Sequence, residues 1–166
     1  MKIEFEKYVD ELGLQPHPEG GWYREVYRSN ETHPFGDGDF PSGRNICTAI
    51  YFMIAKGNFS AFHKIKSDET WHFYAGDPLE VVEIDTAGNL KKTLIGNDIA
   101  KGNVFQYTVP AGAWFASRVY SGGDFSLVGC TVAPGFDFRD FEMAEREKLI
   151  GDFPSHKTTI EELTRI

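Results

Sequence analysis

The sequence predicts an all-β domain, a sandwich or barrel of short strands with one helix before it and short helices after it. Three observations lead there. Strand-like runs follow one another from Trp22 to Ala133, divided by turn-forming groups such as Gly76-Asp-Pro, Ala87-Gly-Asn and Ser121-Gly-Gly-Asp. No helical stretch comes between them, which argues against parallel βαβ units. Beyond Pro134 the alternation stops and a charged, helix-like pattern begins.

The elements are justified in order along the chain. From Ile3 to Leu14, Phe5, Tyr8, Val9 and Leu12 recur at helical spacing, and Gly13 is a natural stop. The run Gln15-Pro-His-Pro-Glu-Gly-Gly21 is turn-rich. Trp22 to Ser29 alternates and reads as a strand. Asn30 to Asn45 has no apolar period and reads as a long loop, of the kind that is often functional or mobile. Further strands are expected over Ile46–Ala55, Ser60–Lys66, Thr70–Ala75, Leu79–Asp85, Leu90–Ile95, Val104–Val109, Trp114–Val119 and Phe125–Ala133. Arg139 to Leu149 reads as a charged, solvated helix, and Thr158-Thr-Ile-Glu161-Glu162 offers a capping box for a last one. Residues 1–166 therefore form one domain, with a β core over about 22–133 and a helical tail over about 139–166.

Composition bounds the function. A formal net charge of −8 and the lack of any basic run argue against binding to nucleic acid or to an anionic membrane. The 14% aromatic content suits a β-rich core. Cys47 and Cys130 lie in apolar runs and are expected as buried free thiols, Cys130 as an inert one, with a disulfide between them as the alternative. The first residues lack the apolar region of a signal peptide, and no apolar run reaches the roughly 18 residues of a membrane span. A cytoplasmic protein is expected.

The chemistry is expected around His63 and Glu69. In a strand over Ser60–Lys66, Ala61, His63 and Ile65 share one face, while Phe62, Lys64 and Lys66 share the other. The lysines mark the outer face, so His63 points inward and needs a partner. Glu69, just past a Ser-Asp turn, is the nearest in sequence. A histidine beside a carboxylate can hold a metal, transfer a proton, or simply be a satisfied core pair. Arg24, in an otherwise apolar strand, could grip an anionic group.

The stretch Gly57 to Gly76 resembles the first motif of the cupin superfamily, with Gly57, His63, Glu69 and Gly76 in place and Ile65 where the second histidine falls. Pro110-Ala-Gly112 resembles part of the second motif. There Phe115 takes the histidine position, Val119 the asparagine position, and Gly102 falls early for the leading glycine. Pro18-Glu-Gly-Gly-Trp-Tyr-Arg24, Thr48-Ala-Ile-Tyr-Phe52, Ser67 to Asp77, Val109 to Trp114 and Gly129 to Phe138 resemble, more specifically, the cupin_5 (DUF985) family over almost the whole chain. That resemblance implies a jelly-roll β-sandwich, usually dimeric, with no established reaction. Ile65 and Phe115 would put an apolar wall where metal cupins have ligands. The ligand set left over would be His63, Glu69 and His72, although strand parity turns His72 away from Glu69 unless a bulge intervenes.

The leading expectation is a cytosolic homodimer that binds a small polar organic ligand in the sandwich cavity. It would be a sugar or nucleotide-sugar epimerase or isomerase, with His63 as base and Glu69 orienting it. Arg24, Ile65, His72, Tyr74, Trp114 and Phe115 would contact the ligand. The opposite proton donor would be one of Tyr23, Tyr51, Tyr74 and Tyr107. No cofactor is expected in that reading. The alternatives are a non-catalytic binding or sensing module, a metal-dependent enzyme with an atypical His/Glu site holding a divalent ion, and a structural interaction protein.

Overall fold

A computed structural model of the protein describes residues 4–34 and 38–166. Helix α1 (Glu4–Glu11) opens the chain, and Ile3 of the expected helix lies outside the described residues. Gly13, at φ +60°, ends the helix in the left-handed region that glycine adopts freely. The strands are β1 (Gln15–Pro16), β2 (Trp22–Arg28), β3 (Thr32–His33), β4 (Arg44–Asn45), β5 (Thr48–Ala55), β6 (Phe59–Lys64), β7 (Asp68–Gly76), β8 (Leu79–Ile84), β9 (Leu90–Ile95), β10 (Gln106–Val109), β11 (Trp114–Val119), β12 (Phe125–Ala133) and β13 (Glu142–Met143).

Two antiparallel sheets form a sandwich, one in the order β1-β2-β5-β12-β7-β10 and the other β13-β6-β11-β8-β9. The expected all-β sandwich is what the chain adopts. Period-two alternation makes the layers. Phe52, Ile54, Trp71, Val81, Phe115 and Val128 point between the sheets and are almost fully buried. Residues of opposite parity point outward and meet helices. Phe5, Tyr8 and Val9 of α1 cover Met53 and Leu127 outside the six-stranded sheet. Leu149, Ile160 and Leu163 of the tail cover Phe62, Val82, Ile84 and Ala116 outside the other.

Several local expectations change. The Lys64 face of β6 is not simply solvated, because Phe62 on that face lies under the tail helices. The 30–45 loop contains the small β3–β4 ladder; its residues 35–37 lie outside the described residues. The single helix expected over Arg139–Leu149 is broken. A 3-10 turn (Phe138–Asp140) leads into β13, which pairs with the edge of β6 through Glu142↔Lys64 and Met143↔His63, and α2 (Arg146–Asp152) starts only afterwards. Edge pairing satisfies backbone groups that a helix would have satisfied locally. The capping box is not used. α3 (Lys157–Glu162) grows out of a 3-10 turn begun at Pro154, so Thr158 lies inside the helix, and its cap, His156, makes no side-chain cap bond. Among the described residues, no helix is long and apolar enough to cross a membrane.

Two irregularities aim side chains. In β2, Val26 is an extra residue between Glu25↔Ile50 and Tyr27↔Ala49, so Glu25 and Arg28 reach the same, inward face. In β7, Tyr74 is skipped between the pairs Ala75↔Leu127 and Phe73↔Val128. Trp71 and Phe73 below it remain inside.

Candidate functional site

A cavity of about 500 Å³ opens between the sheets. Its floor combines His63 from β6, Glu69 from β7 and Glu19 from the β1–β2 turn, with Cys130 and His17 beside them. Tyr23, Ile50, Val132, Phe136 and Phe138 form the walls, and Arg24, Glu25, Arg28 and Asp137 contribute to its lining nearer the surface.

The turn that delivers Glu19 is set by its glycines. Gly21 sits at φ +78°, and a Cβ there would fall 2.5 Å from the Met53 carbonyl oxygen and 2.6 Å from Ile54 Cδ1. Gly20, at φ +115°, presses on the Phe59 carbonyl. The turn can therefore lie flat on the sandwich, with the Ala61 N–H donating to the Glu19 carbonyl at 2.9 Å. Sequence reasoning assigned His17 and Glu19 only to a turn and missed both as site residues. The signal was present: two adjacent glycines mark a close backbone approach, and the residue before them is a carboxylate.

His63 is fixed at both nitrogens. Nδ1 lies 2.7 Å from the Ala61 carbonyl, which can only accept, so Nδ1 carries a proton. Nε2 lies 3.1 Å from Glu19 Oε2, so the ring and that carboxyl hold one proton between them. The direct partner of His63 is thus Glu19, while Glu69 acts on the ring through its charge. His17 accepts the Glu19 N–H at Nδ1 (3.2 Å), which leaves its proton on Nε2. The His17 ring packs edge-on to Tyr23, and the His63 ring stacks on Phe141.

Burial dominates the electrostatics. It raises Glu19 from 4.5 to about 7, against the opposing influence of His17 and the Ser60 hydroxyl. It raises Glu69 from 4.5 to about 7, opposed by His63 and the Cys130 thiol and reinforced by the Glu19 charge. The same desolvation lowers His63 and His17, which favours neutral imidazoles. Cys130, buried beside Glu69, is raised well above the ordinary thiol value, as an inert thiol should be. Both cysteines are free, but only Cys130 is buried as expected; Cys47 is half-buried.

An aromatic cap closes one side. Arg28 donates to both oxygens of Glu25 at 2.8 Å, to Asn45 Oδ1 at 2.8 Å and to the Phe136 carbonyl at 3.0 Å. Arg44 and Asp140 form a two-pronged pair at 2.6 Å, with side chains only 6% and 4% exposed. These bonds tie residues 136–141 to the loop before β5.

The structure brings together His63 and Glu69 but not the other expected ligand contacts. Arg24 lines the cavity, yet its Nη1 donates to the Leu12 carbonyl at 3.0 Å at the end of α1. Ile65 and Phe115 are core residues; the Phe115 ring centre lies 4.1 Å from that of His63, and neither residue lines the cavity. Trp114, next to Phe115 in a strand, faces the opposite way, under Lys64. His72 and Tyr74 lie on the outer face of the six-stranded sheet. There His72 Nε2 meets Thr131 Oγ1 at 3.0 Å and Tyr74 packs on Tyr51. Of the four tyrosines, Tyr23 lines the cavity, whereas Tyr107 donates to Glu83 away from it.

A cupin metal would need ligands that converge. His72 faces away from Glu69, and apolar side chains fill the other two ligand positions. Among the described residues, no three His, Cys, Asp or Glu side chains are grouped to hold an ion. The residues present do not fit that centre.

The comparisons agree with this fold. A hypothetical protein from Leishmania major is 37% identical, with a TM-score of 0.88 over 97% of this chain and 98% of its own. An uncharacterized protein of Saccharomyces cerevisiae, YML079W, is 28% identical over 86% of this chain and 76% of its own. Oxalate decarboxylase from Bacillus subtilis, at 16% identity and a TM-score of 0.56 over 89% of this chain and 36% of its own, shares the fold alone. The family model described as Cupin superfamily (DUF985) matches residues 6–144, and this chain belongs to that family, Cupin_5.

Proposed function

We propose that the cavity binds a small polar organic molecule and moves a proton on it, as an epimerase or isomerase of a sugar or nucleotide-sugar does. The observation that carries this reading is His63 held on the cavity floor between two buried carboxyls, one in contact and one acting at a distance. A general acid or base works best when its pKa lies near the working pH. Desolvation brings carboxyls into that range, and both Glu19 and Glu69 are raised to about 7. Glu69 as carboxylate takes the proton from a carbon beside a carbonyl. The C–H electrons pass into the enolate, and the proton held by Glu19 and His63 moves to the enolate oxygen. Reversal returns it, and reprotonation from the other face inverts the carbon. Tyr23 is the tyrosine within the cavity that could donate there.

The test is solvent exchange. Aldoses, ketoses and nucleotide-sugars are incubated in D2O with wild type, Glu69→Gln and His63→Asn and followed by NMR. Wild type should incorporate deuterium beside the carbonyl of one of them, and both variants should fall to background. Exchange no faster than in Glu69→Gln for every sugar removes the catalytic reading. Thermal stabilisation by a sugar without exchange would then point to a module that only binds.

A further inference from the structure

The inside of the cavity and its outer lining differ in charge. The ionisable groups on the floor are Glu19, Glu69 and Cys130, with His17 and His63 beside them as imidazoles that burial keeps neutral. Among the described residues no lysine lines the cavity, and its two arginines lie nearer the surface and are already bonded, Arg28 to Glu25, Asn45 and the Phe136 carbonyl and Arg24 to the Leu12 carbonyl. Glu69 is 8% exposed, lines the cavity, and among the described residues has only the Cys130 thiol as a hydrogen-bonding neighbour. A phosphate or carboxylate reaching this floor would meet the Glu69 carboxyl with no cation beside it, and a Glu19–His63 pair whose one shared proton leaves it without net positive charge, in a medium where charge is poorly screened. A positive group would be attracted there, and the rings of Tyr23, Phe136 and Phe138 offer it faces to lie against.

We propose that the part of the ligand that reaches the floor carries a cationic nitrogen, seated by Glu19 and Glu69 against the aromatic walls. This rests on the reading of the cavity as the ligand site and adds a substrate class, an amino-substituted rather than a phosphorylated reacting end. Such a ligand favours the ionised carboxyls. Its binding therefore releases protons and tightens as pH rises through about 7, where Glu19 and Glu69 titrate.

Matched probes test the charge. Choline is compared with its neutral isostere 3,3-dimethylbutan-1-ol, and ethanolamine with ethylene glycol, by calorimetry and thermal shift at about pH 6 and about pH 8. At least one cation should bind about tenfold tighter than its neutral partner at the higher pH. It should bind more weakly at the lower pH and release protons in buffers of different ionisation heat. Glu69→Gln should lose the preference. In wild type, the pH dependence and proton release read the same point without any variant. Equal response, or none, to the charged and neutral members of both pairs overturns the proposal. The deuterium-exchange test uses neutral sugars as well, so the function can stand where this inference falls.

Discussion

Replacing Glu69 by Gln isolates the energetic consequence of a buried carboxyl. The folded protein raises this group from 4.5 to about 7, so between those values the folded state binds the proton more tightly than the unfolded chain. Stability therefore falls as pH rises across that window; the favourable protonated form is fully present below 4.5 and lost above about 7. At about 1.4 kcal/mol per pH unit, the rise corresponds to roughly 3 kcal/mol. Gln resembles the protonated acid and cannot ionise. Relative to wild type, the variant should gain roughly 3 kcal/mol between about pH 4.5 and about pH 8, or roughly 6–12 °C in Tm for a domain of this size. The rise to about 7 already contains the repulsion from Glu19 and the opposing attraction of His63. His17 and His63, lowered by burial, act oppositely, destabilising the fold as pH falls below 6.5, but they are present in both proteins and largely cancel. The assay is urea unfolding followed by circular dichroism, for both proteins, across the window at constant ionic strength. A stability difference that stays flat within about 0.5 kcal/mol would refute the placement of Glu69 as a buried, poorly solvated acid.

Two further outcomes are expected. Arg44→Met strands Asp140, whose side chain is 4% exposed, and should lower stability by about 3–5 kcal/mol in urea unfolding, with faster hydrogen exchange over residues 135–141. Arg44→Met with Asp140→Leu should recover most of the loss; a single variant within about 1 kcal/mol of wild type would show that the pair does not hold the cap. A thiol reagent should label half-buried Cys47 in the native protein and reach Cys130 only after denaturation, which a native thiol titration before and after guanidinium reads directly.

Sequence was informative wherever a short backbone period decides direction. Alternation turned His63 inward, separated His72 from Glu69 by an odd number of residues, and placed strands whose ends shift only slightly in the structure. The same parity would have kept Trp114 from sharing the face of Phe115. Apolar Ile65 and Phe115 at two ligand positions already argued against a cupin metal, and both prove to be core. The tail was misread because its apolar residues answer to Phe62, Val82 and Ile84, which are remote in sequence.

The sequence by itself therefore determined the layers of this protein and which face each strand residue takes, because backbone geometry imposes that period locally. Tertiary structure alone decided the partner of His63. Glu19 lies 44 positions earlier by residue number, in a turn with no period of its own, and it reaches the imidazole only because two glycines let that turn press onto β5 and β6. The raised pKa values followed with it, since only the closed sandwich removes both carboxyls from water.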